Sequence, residues 1–143
     1  MNLSKFQKFT LILSGVIALT VGISILAEPF YFYKSYAIFL PENPNLLSEL
    51  RGPAANLAAM GTIMLAGVFY RPMTRTSITI AKTVFIAFPI GRLVSITVDG
   101  IPSEGILAAL FVELLIAALL VLAFTRHPMP SEMHQDKFDG ASS

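Results

Sequence analysis

The stretch GILAALFVELLIAALLVLAFT, Gly105–Thr125, decides the fold. It holds a single charged residue, Glu113, and no proline. Wound into a helix at 1.5 Å per residue, such a run covers about 30 Å, the thickness of a bilayer's hydrocarbon core. Three more apolar segments precede it: Phe9–Ala27, Pro53–Tyr70 and Ser77–Val98. All four are roughly 18–22 residues long, the length a membrane-spanning helix needs. The expected fold is therefore all-α, a bundle of four transmembrane helices. Residues 1–126 form that domain, and 127–143 form a polar cytoplasmic tail expected to be disordered.

Composition points the same way. Of 143 residues, 55% are hydrophobic and only 13% charged, with a mean hydropathy of +0.70. A soluble domain carries about 25% charged residues to coat its surface. The net charge of +1 and the lack of a basic, aromatic-interleaved stripe exclude a nucleic-acid partner. Cysteine is absent, which removes disulfides, thiolate chemistry and cysteine metal sites. In the tail, His127, His134, Glu132 and Asp136 do not make a convincing metal cluster. No cofactor is expected.

Lys5 and Lys8 precede the first segment, which resembles a signal peptide in outline. Its apolar run is too long, and Ile25 too bulky, for a cleavage site ending at Ala27, so it is expected to remain as a helix. Basic residues gather at Lys5, Lys8, Arg71, Arg75, Lys82 and Arg126, while Glu28, Glu42, Glu49, Asp99 and Glu104 dominate the opposite loops. The positive-inside rule then places both termini in the cytoplasm, with the protein in the plasma (inner) membrane.

The long first loop contains Phe30, Tyr31, Phe32, Tyr33, Tyr36 and Phe39, an aromatic cluster suited to headgroup depth. It is expected to lie on the membrane surface, either as a lid over the bundle or as a plain interfacial anchor. Asn45 is expected to cap a short helix through Leu50. Gly52-Pro53 then restarts the chain, with Pro53 in the first turn of span two.

Within FPIGRLVSITVDGIPSEG, Phe88–Gly105, an arginine interrupts an oily run. A charge near the bilayer centre costs about 2.5–3.5 kcal/mol, so Arg92 needs a partner. Glu113 in span four is the natural one. Arg92 lies seven residues before Asp99, and Glu113 nine after Glu104, so the two sit roughly 10 and 13 Å below the same surface. Side chains tilt toward their own helix N-terminus, and the two spans run in opposite directions, so the groups lean together. Ser95 and Asp99 share the face of Arg92, while Glu49, Arg51 and Asn56 belong to the same end of span two. The expected site is thus a polar cluster of Glu49, Arg51, Asn56, Arg92, Ser95, Asp99 and Glu113, serving as a ligand site or as a structural device. Pro89 removes a backbone donor and is expected to kink span three, with Gly91 lowering the bulk beside Arg92.

The segments SELRGPAANLAAMGTIMLAG and GRLVSITVDGIPS, with the glutamate of FVELLIAALL, resemble a bacterial family of small four-helix membrane proteins. That family is the domain of unknown function forty-three forty-five. The resemblance runs from about Phe9 to Thr125 and implies the four-span fold and a grouping of Glu49, Arg51, Arg92, Asp99 and Glu113. It carries no activity. Size and span count are also similar to DoxX-like membrane proteins, an analogy of fold only.

Three functions fit these residues. First is a non-enzymatic protein that binds membrane lipid or another amphipathic molecule, or serves as an accessory subunit of a larger membrane complex. Second is an oligomeric transporter or channel subunit gated by Arg92 and Glu113. Third is a lipid-modifying enzyme, disfavoured because no span holds Cys, His or a Gly-x-Ser-x-Gly elbow.

Overall fold

A computed structural model describes residues 3–125, so the tail and the histidines discounted there as a metal cluster lie outside the described residues. All regular structure in this range is helical: α1 (Lys5–Ala27), α2 (Pro29–Lys34), α3 (Pro44–Phe69), α4 (Thr74–Asp99) and α5 (Glu104–Thr125). A short 3-10 turn, Arg71–Met73, joins α3 to α4. The four long helices are apolar and long enough to cross a membrane.

The first three helices start for local reasons. Ser4 caps α1 through a capping box with Gln7, each side chain accepting from the other's backbone N–H at 3.2 and 2.9 Å. Pro29 opens α2 at a position where no backbone donor is needed. The start of α3 differs from expectation. Asn43, not Asn45, is the cap, accepting from the N–H groups of Asn45 and Leu46 at 2.9 and 3.3 Å. No separate short helix ends at Leu50: α3 runs unbroken from Pro44 through Pro53. Pro53 leaves the Glu49 carbonyl without its intrahelical donor, but both residues are exposed, so the break in the ladder is solvated and the helix persists. Likewise α4 stays helical through the buried Pro89.

The helices close a ring in which α1 packs on α3, α3 on α4, α4 on α5 and α5 on α1. Leu11, Ala18, Met64, Ala81, Ile116 and Leu120 form the centre, each no more than 2% exposed. The tightest seam joins α1 and α3. Gly15, Ala18 and Gly22 on α1 repeat at three- and four-residue steps and meet Ala54, Ala58 and Gly61 on α3. A Cβ on Gly22 would fall 2.5 Å from the Ala58 nitrogen, and one on Gly61 would fall 2.5 Å from the Leu19 nitrogen. Backbone touches backbone here. Lipid supplies no hydrophobic drive for helix association, so close packing of this kind supplies the attraction.

Hydrogen bonds lock the basic end. The Gln7 amide donates to the Ala123 carbonyl at 2.9 Å, tying α1 to α5. The Thr74 hydroxyl donates to the Gly67 carbonyl at 2.8 Å. Ser77 Oγ lies 2.6 Å from the Ile63 carbonyl and 2.9 Å from that of Met73, against the bare backbone of Gly67. Lys82 Nζ rests 5.9 Å from the Phe124 ring centroid, within cation–π range.

The opposite, loop end is held differently. After α2, Ile38 N–H bonds the Tyr33 carbonyl and Ala37 N–H bonds the Lys34 carbonyl, both at 3.0 Å. These are the two bonds of a Schellman motif, with Ala37 at φ 61° where glycine is usual. The Ser103 hydroxyl then donates to the Tyr36 carbonyl at 3.0 Å, fastening the aromatic segment to the α4–α5 turn.

Replacing Gly22 by leucine should force α1 and α3 apart and lower stability by about 1–3 kcal/mol or more. The same change at Gly52, where a Cβ meets nothing within 4 Å, should be nearly silent. Thermal unfolding in detergent, followed by circular dichroism, compares the two. Equal effects would remove the close seam as the source of α1–α3 association.

Candidate functional site

Below the aromatic segment the bundle is not filled. A cavity of about 980 Å³ occupies the loop end, walled by α1, α3, α4 and α5 and roofed by Phe32, Tyr33 and Tyr36. Its wall is mostly aliphatic and aromatic. The charged groups in it are Arg92 and Glu113. Pro53, Ala87, Phe88 and Gly91 line it and are themselves exposed, so it reaches the outside of the bundle near the α3–α4 side. A Cβ on Gly91 would meet nothing within 4 Å, which marks open space beside Arg92.

Arg92 and Glu113 meet through three contacts. Arg92 Nε donates to Glu113 Oε2 at 2.9 Å and to Oε1 at 3.1 Å, and Nη2 donates to Oε1 at 3.0 Å. Their side chains are 29% and 15% exposed. The fork-on-carboxylate arrangement is strong for two reasons: both partners are charged, and the planar guanidinium presents two parallel donors. Antiparallel helices produce it, because each side chain leans back along its own helix toward the other. Of the guanidinium nitrogens, Nη1 is the one that takes no part in these bonds.

The other residues of the expected cluster are placed differently. Ser95 lines the cavity, and its hydroxyl donates to Asp99 Oδ2 at 2.9 Å, one turn further along an exposed face. Glu49, Arg51 and Asn56 are exposed on α3 and do not line the cavity. The α3 residues that do are Leu50, Pro53, Ala54 and Leu57, a different face of the same helix. Arg92, Ser95 and Glu113 are thus brought together, and Glu49, Arg51 and Asn56 are not.

Tyr33 and Tyr36 are additional cavity residues. The sequence left the aromatic segment as either a lid or an interfacial anchor, and the signal that separates its residues is spacing. Phe32, Tyr33 and Tyr36 face one way on the turn formed by α2, while Tyr31 and Phe39 are each 79% exposed. The Phe32 ring stacks edge-on to Tyr33 at 5.4 Å and tilted to Tyr36 at 5.3 Å. Burial pushes the Tyr33 phenol above its usual range, and the positive charge of Arg92 partly opposes that shift. The phenol therefore stays a neutral hydroxyl within electrostatic reach of the ion pair.

Leucine in place of either Arg92 or Glu113 alone strands the partner's charge, at a cost on the order of 3 kcal/mol. The double leucine variant should recover most of that loss. Chemical denaturation of the three variants in detergent micelles measures the coupling. If the double variant is no more stable than the singles, the pair makes no net structural contribution.

Comparison with known proteins adds one relationship. No curated protein and no solved structure matches the chain. A family profile, by contrast, matches residues 6–124, which covers all four long helices, the aromatic segment and both members of the ion pair. The chain belongs to the family described as Domain of unknown function (DUF4345).

Proposed function

We propose that this protein is a non-enzymatic binding protein of the membrane, holding an amphipathic molecule in the cavity at its loop end, alone or as an accessory subunit of a larger membrane assembly. The observation that carries this reading is the combination of one large, mostly apolar chamber with a single paired charge set into its wall. Ligand sites of about 300–1,000 Å³ with a few convergent polar groups are the usual pattern, and this chamber sits at the top of that range. Its exposed rim along α3 and α4 offers entry from the surrounding lipid.

The closed half of the bundle favours binding over conduction. Leu11, Met64 and Leu120 are fully buried beneath the chamber, and Gln7, Thr74 and Ser77 donate to backbone carbonyls. A path through a single copy would have to cross that packing. Gating by Arg92 and Glu113 therefore ranks second.

The basic residues at the Arg71–Arg75 turn and beside α1 support a cytoplasmic position for that end and, with it, a chamber in the outer leaflet. Because the chain has no cysteine, single-cysteine variants report orientation directly. Glu42→Cys should react with a membrane-impermeant maleimide on intact cells, and Tyr70→Cys only after permeabilisation. The reverse pattern would move the chamber to the inner leaflet.

Filling the chamber tests occupancy. Native mass spectrometry of protein extracted in mild detergent should find a retained lipid or other amphiphile on the wild type. Gly91→Phe should lose it by about tenfold or more, while Gly52→Phe should keep it. Equal retention by both variants would place any bound molecule elsewhere.

A further inference from the structure

Arg92, taken alone, reads as a site for phosphate or carboxylate. Its geometry argues otherwise. Nε and Nη2 already grip both oxygens of Glu113 at 2.9–3.1 Å, so the charge of the guanidinium is cancelled within the wall. Among the described residues, no second cation lines the chamber. An anionic head entering here would either share one guanidinium with a fixed carboxylate or displace it. Sharing sets two negative charges within a few ångströms of each other in a medium of low polarity. Displacement leaves Glu113 charged, largely shielded from water and unpaired.

What remains available is directional, on a pair that carries no net charge. Nη1 of Arg92 keeps its two N–H donors. The phenol of Tyr33 lines the same chamber, and burial holds it un-ionised. Ser95 also lines it, but gives its one O–H to Asp99 and can only accept, so the donors are those of Arg92 and Tyr33. Donors of this kind suit an acceptor oxygen that carries no net charge. The rest of the wall, including Phe85, Phe88 and Leu110, suits hydrocarbon.

We infer that the chamber selects amphiphiles with an uncharged oxygen head, a hydroxyl or a carbonyl on an apolar chain, and discriminates against anionic heads through Glu113. This inference rests on the binding reading above and specifies its ligand. Arg92 Nη1 donates to the head oxygen, and Glu113 acts as an electrostatic filter as well as a partner for Arg92.

The test compares two probes of equal chain length, 1-dodecanol and dodecanoate. Each is titrated into the delipidated full chain in non-ionic detergent at about pH 9, where a carboxylate is ionised. Bound probe is counted by native mass spectrometry. Wild type should retain dodecanol at least about tenfold more tightly than dodecanoate. Glu113→Gln removes the negative charge yet keeps an acceptor for Arg92, and should raise dodecanoate affinity by about tenfold or more. Gly91→Phe should bind neither.

Wild type preferring dodecanoate, or holding both equally, would overturn the selectivity and leave the binding site standing. Binding of neither probe, or binding undiminished by Gly91→Phe, would overturn the site itself. Should Glu113→Gln fail to fold, the wild-type preference decides alone.

Discussion

A guanidinium and a carboxylate set into hydrocarbon have to find one another, and much of this protein's loop end follows from that constraint. Each charge alone costs about 2.5–3.5 kcal/mol near the bilayer centre. Paired through Nε and Nη2, Arg92 and Glu113 present the chamber with a dipole rather than a net charge. The pair can form only if α4 and α5 are neighbours, antiparallel and in one register. It therefore specifies how the last two spans sit together, in a stretch where α5 has only leucine, isoleucine, valine, phenylalanine and alanine on most of its surface. Such residues make poor register marks, because each resembles the next.

The two halves of the bundle solve the packing problem in opposite ways. At the basic end, small residues and hydroxyls let the helices approach until side chains bond directly to backbone carbonyls. Gly67 shows why: any side chain there would displace Ser77. Toward the loop end the α1–α3 seam continues through Gly22 and Ala54, but the far side of α3 recedes from α4. The ring is thus pinned along one edge and open along another. The shape needs no unusual backbone, only an uneven distribution of small residues between the helix faces.

The number, apolar character and approximate limits of the spans were legible because a membrane allows so few alternatives. Hydrocarbon forbids unsatisfied backbone, so length and hydropathy suffice to identify a spanning helix. The Arg92–Glu113 contact was legible for a related reason: two charges at similar depth on antiparallel helices have little else to meet. Glu49, Arg51 and Asn56 show where such reasoning stops. Depth is read by counting along the chain, but azimuth around α3 depends on which face docks on α1. That was set by Gly15 and Gly22, residues whose importance lies in the absence of a side chain. The start of α3 was misplaced because two prolines in ten residues read as punctuation. Pro44 sits where no donor is required, and Pro53 frees a carbonyl on an exposed residue, so neither ends the helix.

The aromatic segment shows how one motif serves two surfaces. A headgroup belt and a lid demand the same residues, large rings with polar tips, and composition cannot separate them. Geometry does, through the turn that ends α2. Ala37 takes a left-handed conformation that costs a non-glycine residue roughly 1–2 kcal/mol, and the Schellman bonds and the Ser103 hydroxyl hold it there. The turn directs Tyr33 and Tyr36 down into the chamber while Tyr31 and Phe39 stay outside. The strain at Ala37 is offset by the bonds that fasten the segment at both ends, and those bonds hold Tyr33 and Tyr36 against the chamber, where a segment floating at the interface would leave them free to turn.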